Sequence, residues 1–249
     1  MLIAFHQIDG TKLSGSEEAI GTIKDLFLDQ HDWHVRYAVV DTGVWLPGRR
    51  ILVSPTAITK HDWGAHQATA LLSHAQVESS PDVDLMRPVS RQMELELAKH
   101  YDWPAYWASG LGLGGEAAAA VPPSVMVPNE KQHEIEDQLL NVRSAHEILG
   151  YSIHATDGDI GHVNDFIIDD ETWAVRYLVV DTKNWLPAPK VLVAPAWIES
   201  VSWADQAVTV EVTCQQIKDS PDYDPLAPVN RGYEEHIYDF YGKERYWMP

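Results

Sequence analysis

Apolar and polar positions alternate in short runs along most of the chain, and the runs come in two matching series. Gly161–Asp169 and Ala174–Asp181 are β-branched and aromatic runs separated by Asp170-Glu171-Thr172-Trp173, a hairpin signature. Lys190–Ala194 is a short apolar run bounded by Pro187, Pro189 and Pro195, and Trp197–Trp203 and Ala207–Val212 alternate around Ala204-Asp205-Gln206, predicting a second hairpin. The same series stands at Gly21–Asp29, Val35–Asp41, Arg50–Ser54, Ala57–Trp63 and Ala68–Leu72. Each series ends in helical spacing. Thr213 is the expected N-cap of one or two turns through Asp219, Ser220-Pro221-Asp222 forces a loop, and Asn230 caps a helix to about Tyr241 that Gly242 stops. Ser90 and Glu94 hold the places of Asn230 and Glu234, with the acidic residue near the positive end of the helix.

The match between the series is exact in length. Residues 6–107 align with 146–247 at a constant offset of 140 without a gap, and 36 of 102 positions are identical. The expected organisation is a first repeat at 1–107, a Gly/Ala/Pro-rich linker at 108–143 and a second repeat at 144–249. Five or six short strands per copy argue for a small antiparallel barrel or sandwich followed by a short C-terminal helix. Duplication also acts as a filter, because a site that defines the domain should appear in both copies.

Composition narrows the function classes. The net charge of −19 is carried mostly by the second copy: about −5 over 1–107, −3 over 108–143 and −11 over 144–249. An acidic surface without a basic run repels phosphate backbones, so nucleic acid is not an expected partner. No segment reaches the length of a spanning helix and the N-terminus lacks the pattern of a secretory signal, which predicts a cytoplasmic protein with no integral membrane segment. The single Cys214 excludes an internal disulfide framework, and its counterpart is His74.

Gly21 and Gly161, the Asp-rich hairpin, the Arg-Tyr strand running into Val-Val-Asp-Thr at 39–42 and 179–182, and the short Val-rich strand after it together resemble the PRC-barrel family. Ser-Pro-Asp-x-Asp at 80–84 and 220–224 and Pro-Val-x-Arg at 88–91 and 228–231 extend the resemblance to free-standing bacterial members. The family is a small β-barrel found in the photosynthetic reaction-centre H subunit and in a ribosome maturation factor. The resemblance implies a mainly β fold of two small antiparallel PRC-type barrels and a non-catalytic role in docking onto another macromolecule. It departs from the H subunit in lacking the membrane helix, and from the maturation factor in carrying a second barrel instead of a different domain. Support of electron or proton transfer at a membrane complex is the alternative implied by the H subunit, and ribosome assembly is a weaker one.

Candidate residues follow from the filter. A four-residue hairpin loop places Asp25 opposite Arg36 and Asp165 opposite Arg176, expected as structural cross-strand ion pairs worth roughly 0.2–1 kcal/mol. Asp41 and Asp181 stand where a strand becomes a loop and are expected to fix the turn by bonding the backbone two residues on. Trp45-Leu46 and Trp185-Leu186 precede a proline in that loop, where a large aromatic either covers the barrel mouth or anchors a partner. These four are the candidate interaction residues. No catalytic set or metal-ligand spacing recurs in both copies, and neither enzymatic activity nor a cofactor is expected. The expected partner is an unidentified protein, with an intramolecular pseudo-dimer or a homo-oligomer as further possibilities.

Overall fold

The computed structural model describes residues 1–16, 18–85, 87–104, 106, 142–182 and 190–248. It is mainly β, with two mixed seven-stranded sheets and few helices. With strands numbered along the chain, one sheet runs β12 (Lys190–Val193), β11 (Val175–Asp181), β10 (Gly158–Asp169), β9 (Ser152–Ala155), β14 (Ala207–Val210), β13 (Ile198–Ser202), with β1 (Leu2–Ala4) added on β10. The other runs β5 (Arg50–Val53), β4 (His34–Asp41), β3 (Ala19–Asp29), β2 (Lys12–Ser14), β7 (Gln67–Ala70), β6 (Ile58–Asp62), with β8 (Val142–Ser144) added on β3.

Two features differ from the expectation of antiparallel barrels. The pairs β9–β14 and β2–β7 are parallel, and each path runs open from one end strand to the other. Both parallel pairs join strands separated by four others in sequence, so no tight turn forces them antiparallel. The compact units also do not coincide with the boundaries 1–107 and 144–249. One unit comprises Met1–Asp9, Asp32–His34 and Ala145–Pro249, the other Gly10–His31 and Val35–Ser144. The first strand of each repeat is therefore counted with the sheet of the other.

Both cores are built from the alternating runs. Ile20, Ile23, Leu26, Val40, Ile51 and Leu52 are fully buried in one unit, and Ile153, Phe166, Leu178, Val180 and Val208 in the other. Gly21 and Gly161 are required by close approach: a Cβ there would overlap the carbonyl oxygen of Asp41 or Asp181. The long strands can thus cross their neighbours at the point where the next loop begins.

Helix ends follow local chemistry. Ser90 Oγ accepts from Met93 N at 3.2 Å to cap Arg91–Tyr101, and Asn230 Oδ1 accepts from Tyr233 N at 3.0 Å to cap Arg231–Tyr241. Gly242 (φ +62) closes the second helix, and Asp102 (φ +56) holds the same left-handed position in the first. Thr213 and Gln216 form a capping box at Cys214–Lys218, with bonds of 2.9 and 3.2 Å.

Candidate functional site

The loop after β4 is held from below. Thr42 is buried, and its Oγ1 donates to Leu46 O at 2.7 Å and to Arg49 O at 2.9 Å, while Thr42 N donates to Arg49 O at 3.1 Å. Asp41 Oδ1 accepts from Gly43 N at 2.9 Å, the bond across two residues that an Asx turn makes. Gly43 (φ +67) and Gly48 (φ +76) take left-handed conformations on either side of the tip. An eight-residue loop (42–49) with this many internal bonds presents its tip in one conformation.

Trp45 is half-buried. Its Nε1 donates to Ile20 O at 2.7 Å, and its ring stacks on His74 with centroids 4.1 Å apart and planes 9° from parallel. His74 Nε2 is in turn 3.0 Å from Ala19 O. Leu46 is also half-buried, whereas Val44 at the tip is 95% exposed. Leu71, three residues before His74, is 68% exposed. Trp185 and Leu186 lie outside the described residues. Asp181 is buried at the end of β11, opposite His162 on one side and Lys190 on the other.

The expected ion pairs form with other partners. Arg36 Nη2 lies 3.2 Å from Asp29 Oδ2 and Arg176 Nη2 lies 2.7 Å from Asp169 Oδ2, the aspartates four residues beyond Asp25 and Asp165. The reason is register. The second hairpin turns over Asp170–Trp173 with Asp169 N donating to Ala174 O, and a bulge between Ile167 and Ile168 leaves Arg176 without a directly opposed residue. Asp165 therefore faces Val179, and its carboxylate meets His6 Nδ1 at 2.5 Å. Asp25 accepts from Ser144 Oγ at 2.5 Å and from Leu26 N at 2.7 Å.

A larger constellation recurs in both copies. Glu94 and Glu234, 1% and 2% exposed, each sit at the foot of a helix as the acceptor of a shared network. Tyr37 and Tyr106 hydroxyls donate to Glu94 Oε1 at 3.3 and 2.8 Å, and Arg91 Nη1 is 2.7 Å from Oε2. Tyr177 and Tyr246 donate to Glu234 at 2.9 and 2.7 Å, with Arg231 at 3.0 Å. Arg36 then lies over the Tyr106 ring at 3.7 Å and Arg176 over Tyr246 at 4.1 Å, linking the hairpin pair to the carboxylate. Burial pushes the Glu94 carboxyl up, against the pull of Arg91 and the two hydroxyls. Burial first, and then the adjacent carboxylate, push the Tyr37 and Tyr177 hydroxyls well above the usual tyrosine range. The Tyr246 hydroxyl is pushed up to about 12 by burial and by Glu234. These hydroxyls stay protonated and act as donors, so the constellation clamps the terminal helix onto the sheet.

The acidic residues of the second copy are spread over separate partners. Asp157 accepts from Cys214 N, Asp159 meets His154 at 2.6 Å and Asp169 meets Arg176. Among the described residues no group of three or more His, Cys, Asp or Glu is placed to hold a metal ion, and no helix is long and apolar enough to cross a membrane.

A mixed sheet with a glycine crossing, an Asp-fixed loop and a clamped terminal helix defines a β-rich scaffold. A PRC-barrel domain is found at residues 140–214, where the chain matches the model of that family. No curated protein matches the chain.

Proposed function

We propose that this protein is a non-catalytic interaction module built from two PRC-type repeats, and that the Gly43–Gly48 loop of the first repeat is a docking surface. The observation that carries the reading is Val44, 95% exposed at the tip of a loop whose conformation is held by Thr42, Asp41 and the Trp45–Ile20 bond. An apolar tip on a preorganised loop binds without a large ordering cost, which is how aromatic and aliphatic anchors gain affinity. The surroundings favour the first repeat. Leu71 and His74 there are replaced by Glu211, which pairs with Lys243 at 2.8 Å, and by Cys214 in the second. A PRC-barrel domain fits an interaction module at the family level. The reading places the protein in the cytoplasm, on the grounds of its acidic charge and single cysteine.

The test compares proteins recovered with tagged wild type, Val44→Asp and Trp45→Ala from native lysate by quantitative mass spectrometry. Val44→Asp leaves the core untouched, so a stoichiometric partner lost with this variant places the surface at the loop. A partner retained by both variants moves the surface elsewhere. No stoichiometric partner for the wild type ends the adaptor reading.

A further inference from the structure

We propose that the second half of β10, Phe166–Asp169, is an exchangeable strand-accepting edge, and that the Met1–Ile8 segment of a second copy of this chain can occupy it in place of the chain's own. The inference adds a mode of self-association to the adaptor reading and does not depend on the Gly43–Gly48 loop.

The acceptor is defined by what leaves it open. β9 pairs with β10 only over Gly158–His162, so the same edge of the second half is available to another strand. β1 fills it antiparallel, with Leu2 opposite Asp169, Ile3 opposite Ile168 and Ala4 opposite Ile167, and Asp170 N donates to Met1 O at 3.0 Å. The residues that follow complete the recognition. Phe5 lies edge-on to Phe166 with centroids 6.4 Å apart, Ile8 is fully buried, and His6 meets Asp165. Backbone bonds, apolar side chains and polar contacts thus all lie within residues 1–8, the pattern of a strand-addition ligand.

The donor joins the rest of the chain at Gly10, a left-handed residue (φ +80) whose N–H donates to Ile23 O at 2.9 Å, so exchange turns the segment at or before this anchored point. The segment is remote in sequence from the strand it completes, and it belongs to the compact unit that also contains Asp32–His34 and Ala145–Pro249. A segment from a second copy makes the same contacts, so exchange costs hinge rearrangement and association entropy but no contact energy. The fold uses this device twice, because β8 covers Phe27–Asp29 of β3 with the equivalent register. A tethered segment competes at an effective concentration in the mM range, so exchange is expected in concentrated protein or after transient opening.

Engineered cysteines in a Cys214→Ser background test this in the full chain. A chain carrying Ala4→Cys is mixed with one carrying Ile167→Cys, held briefly at mild denaturant, returned to buffer and oxidised; the double variant in one chain is the control. The expected result is a covalent dimer in the mixture well above either variant alone, with a closed intrachain bond in the control. A control that closes while the mixture yields no dimer overturns the proposal, as does a folded control that fails to close, because β1 is then not seated on β10. Ile3→Cys with Ile168→Cys, adjacent in register, replaces the pair if Ile167→Cys does not fold. Wild-type protein taken through the same cycle, read by light scattering, is expected to show dimer that persists on dilution; monomer alone throughout counts against exchange.

Discussion

Glu94 and Glu234 set the energetics of each unit because a buried carboxylate is tolerated only when its acceptor sites are filled. Hydrogen bonds to a charged group are worth about 1.5–3 kcal/mol, so Tyr177→Phe, which removes a 2.9 Å bond to Glu234, is expected to lower stability by about that amount in denaturant titration. Tyr37→Phe removes a longer bond of 3.3 Å and is expected to cost less. The hairpin pair adds a dependence on acid. Burial pushes the Asp169 carboxyl up, but hydrogen bonds from Arg176 and Thr172 outweigh it and hold the group below its ordinary value. A depressed carboxyl contributes stability that is present above its unfolded value and lost as pH falls through its folded value. Arg176→Met is therefore expected to flatten the stability curve below about pH 4, and parallel acid limbs for variant and wild type would exclude this role. The components of the clamp were visible in the sequence: Asp29, Arg36, Tyr37, Arg91, Glu94 and Tyr106 are all identical 140 residues on. Their convergence was not, because Tyr37 and Glu94 lie 57 residues apart and only the packing of the helix on the sheet brings them together.

At the scale of elements, the long strands and the helices were legible because their signals are local. β10, β11, β12 and the helix Arg231–Tyr241 follow from alternation, proline boundaries and an N-cap within each segment. β1, β2 and β8 have three residues each, too few for a period, and exist because an edge of a longer strand receives them. The ion-pair register was missed for a similar reason: a bulge inserts one residue and leaves no mark in the alternation. The glycine crossing is the sharpest element-level constraint. Gly161→Ala places a methyl group against the Asp181 carbonyl, a backbone atom that cannot move without shifting β11, and is expected to cost about 3 kcal/mol or more. Gly10→Ala is the contrasting case, since space is open there and only the positive φ opposes a side chain, at roughly 1 kcal/mol. Thermal midpoints of the two variants measured side by side test whether close approach outweighs conformational preference.

For the chain as a whole, repeat boundaries and folding units are different things. The sequence alignment at an offset of 140 sets the expected boundary at 107, but the sheet of the first repeat takes β8 from Val142–Ser144, and β1 completes the other sheet. A fragment ending at residue 107 thus loses the strand that covers Phe27–Asp29 and keeps a β1 segment whose acceptor strand is gone. Val142 is 1% exposed and Phe27 is 2% exposed, so removing the covering strand uncovers apolar surface, at about 25 cal/mol for each Å². An unpaired edge next to exposed apolar side chains seeks another strand. The fragment is expected to self-associate, because its own β1 can serve the vacant edge of a second fragment, and sedimentation should show no stable monomer. Addition of a peptide spanning 140–149 should shift it toward monomer by supplying β8. A 1–107 fragment that sediments as a stable folded monomer would mean that each repeat closes its own sheet, and that the exchanged strands add little to the stability of either unit.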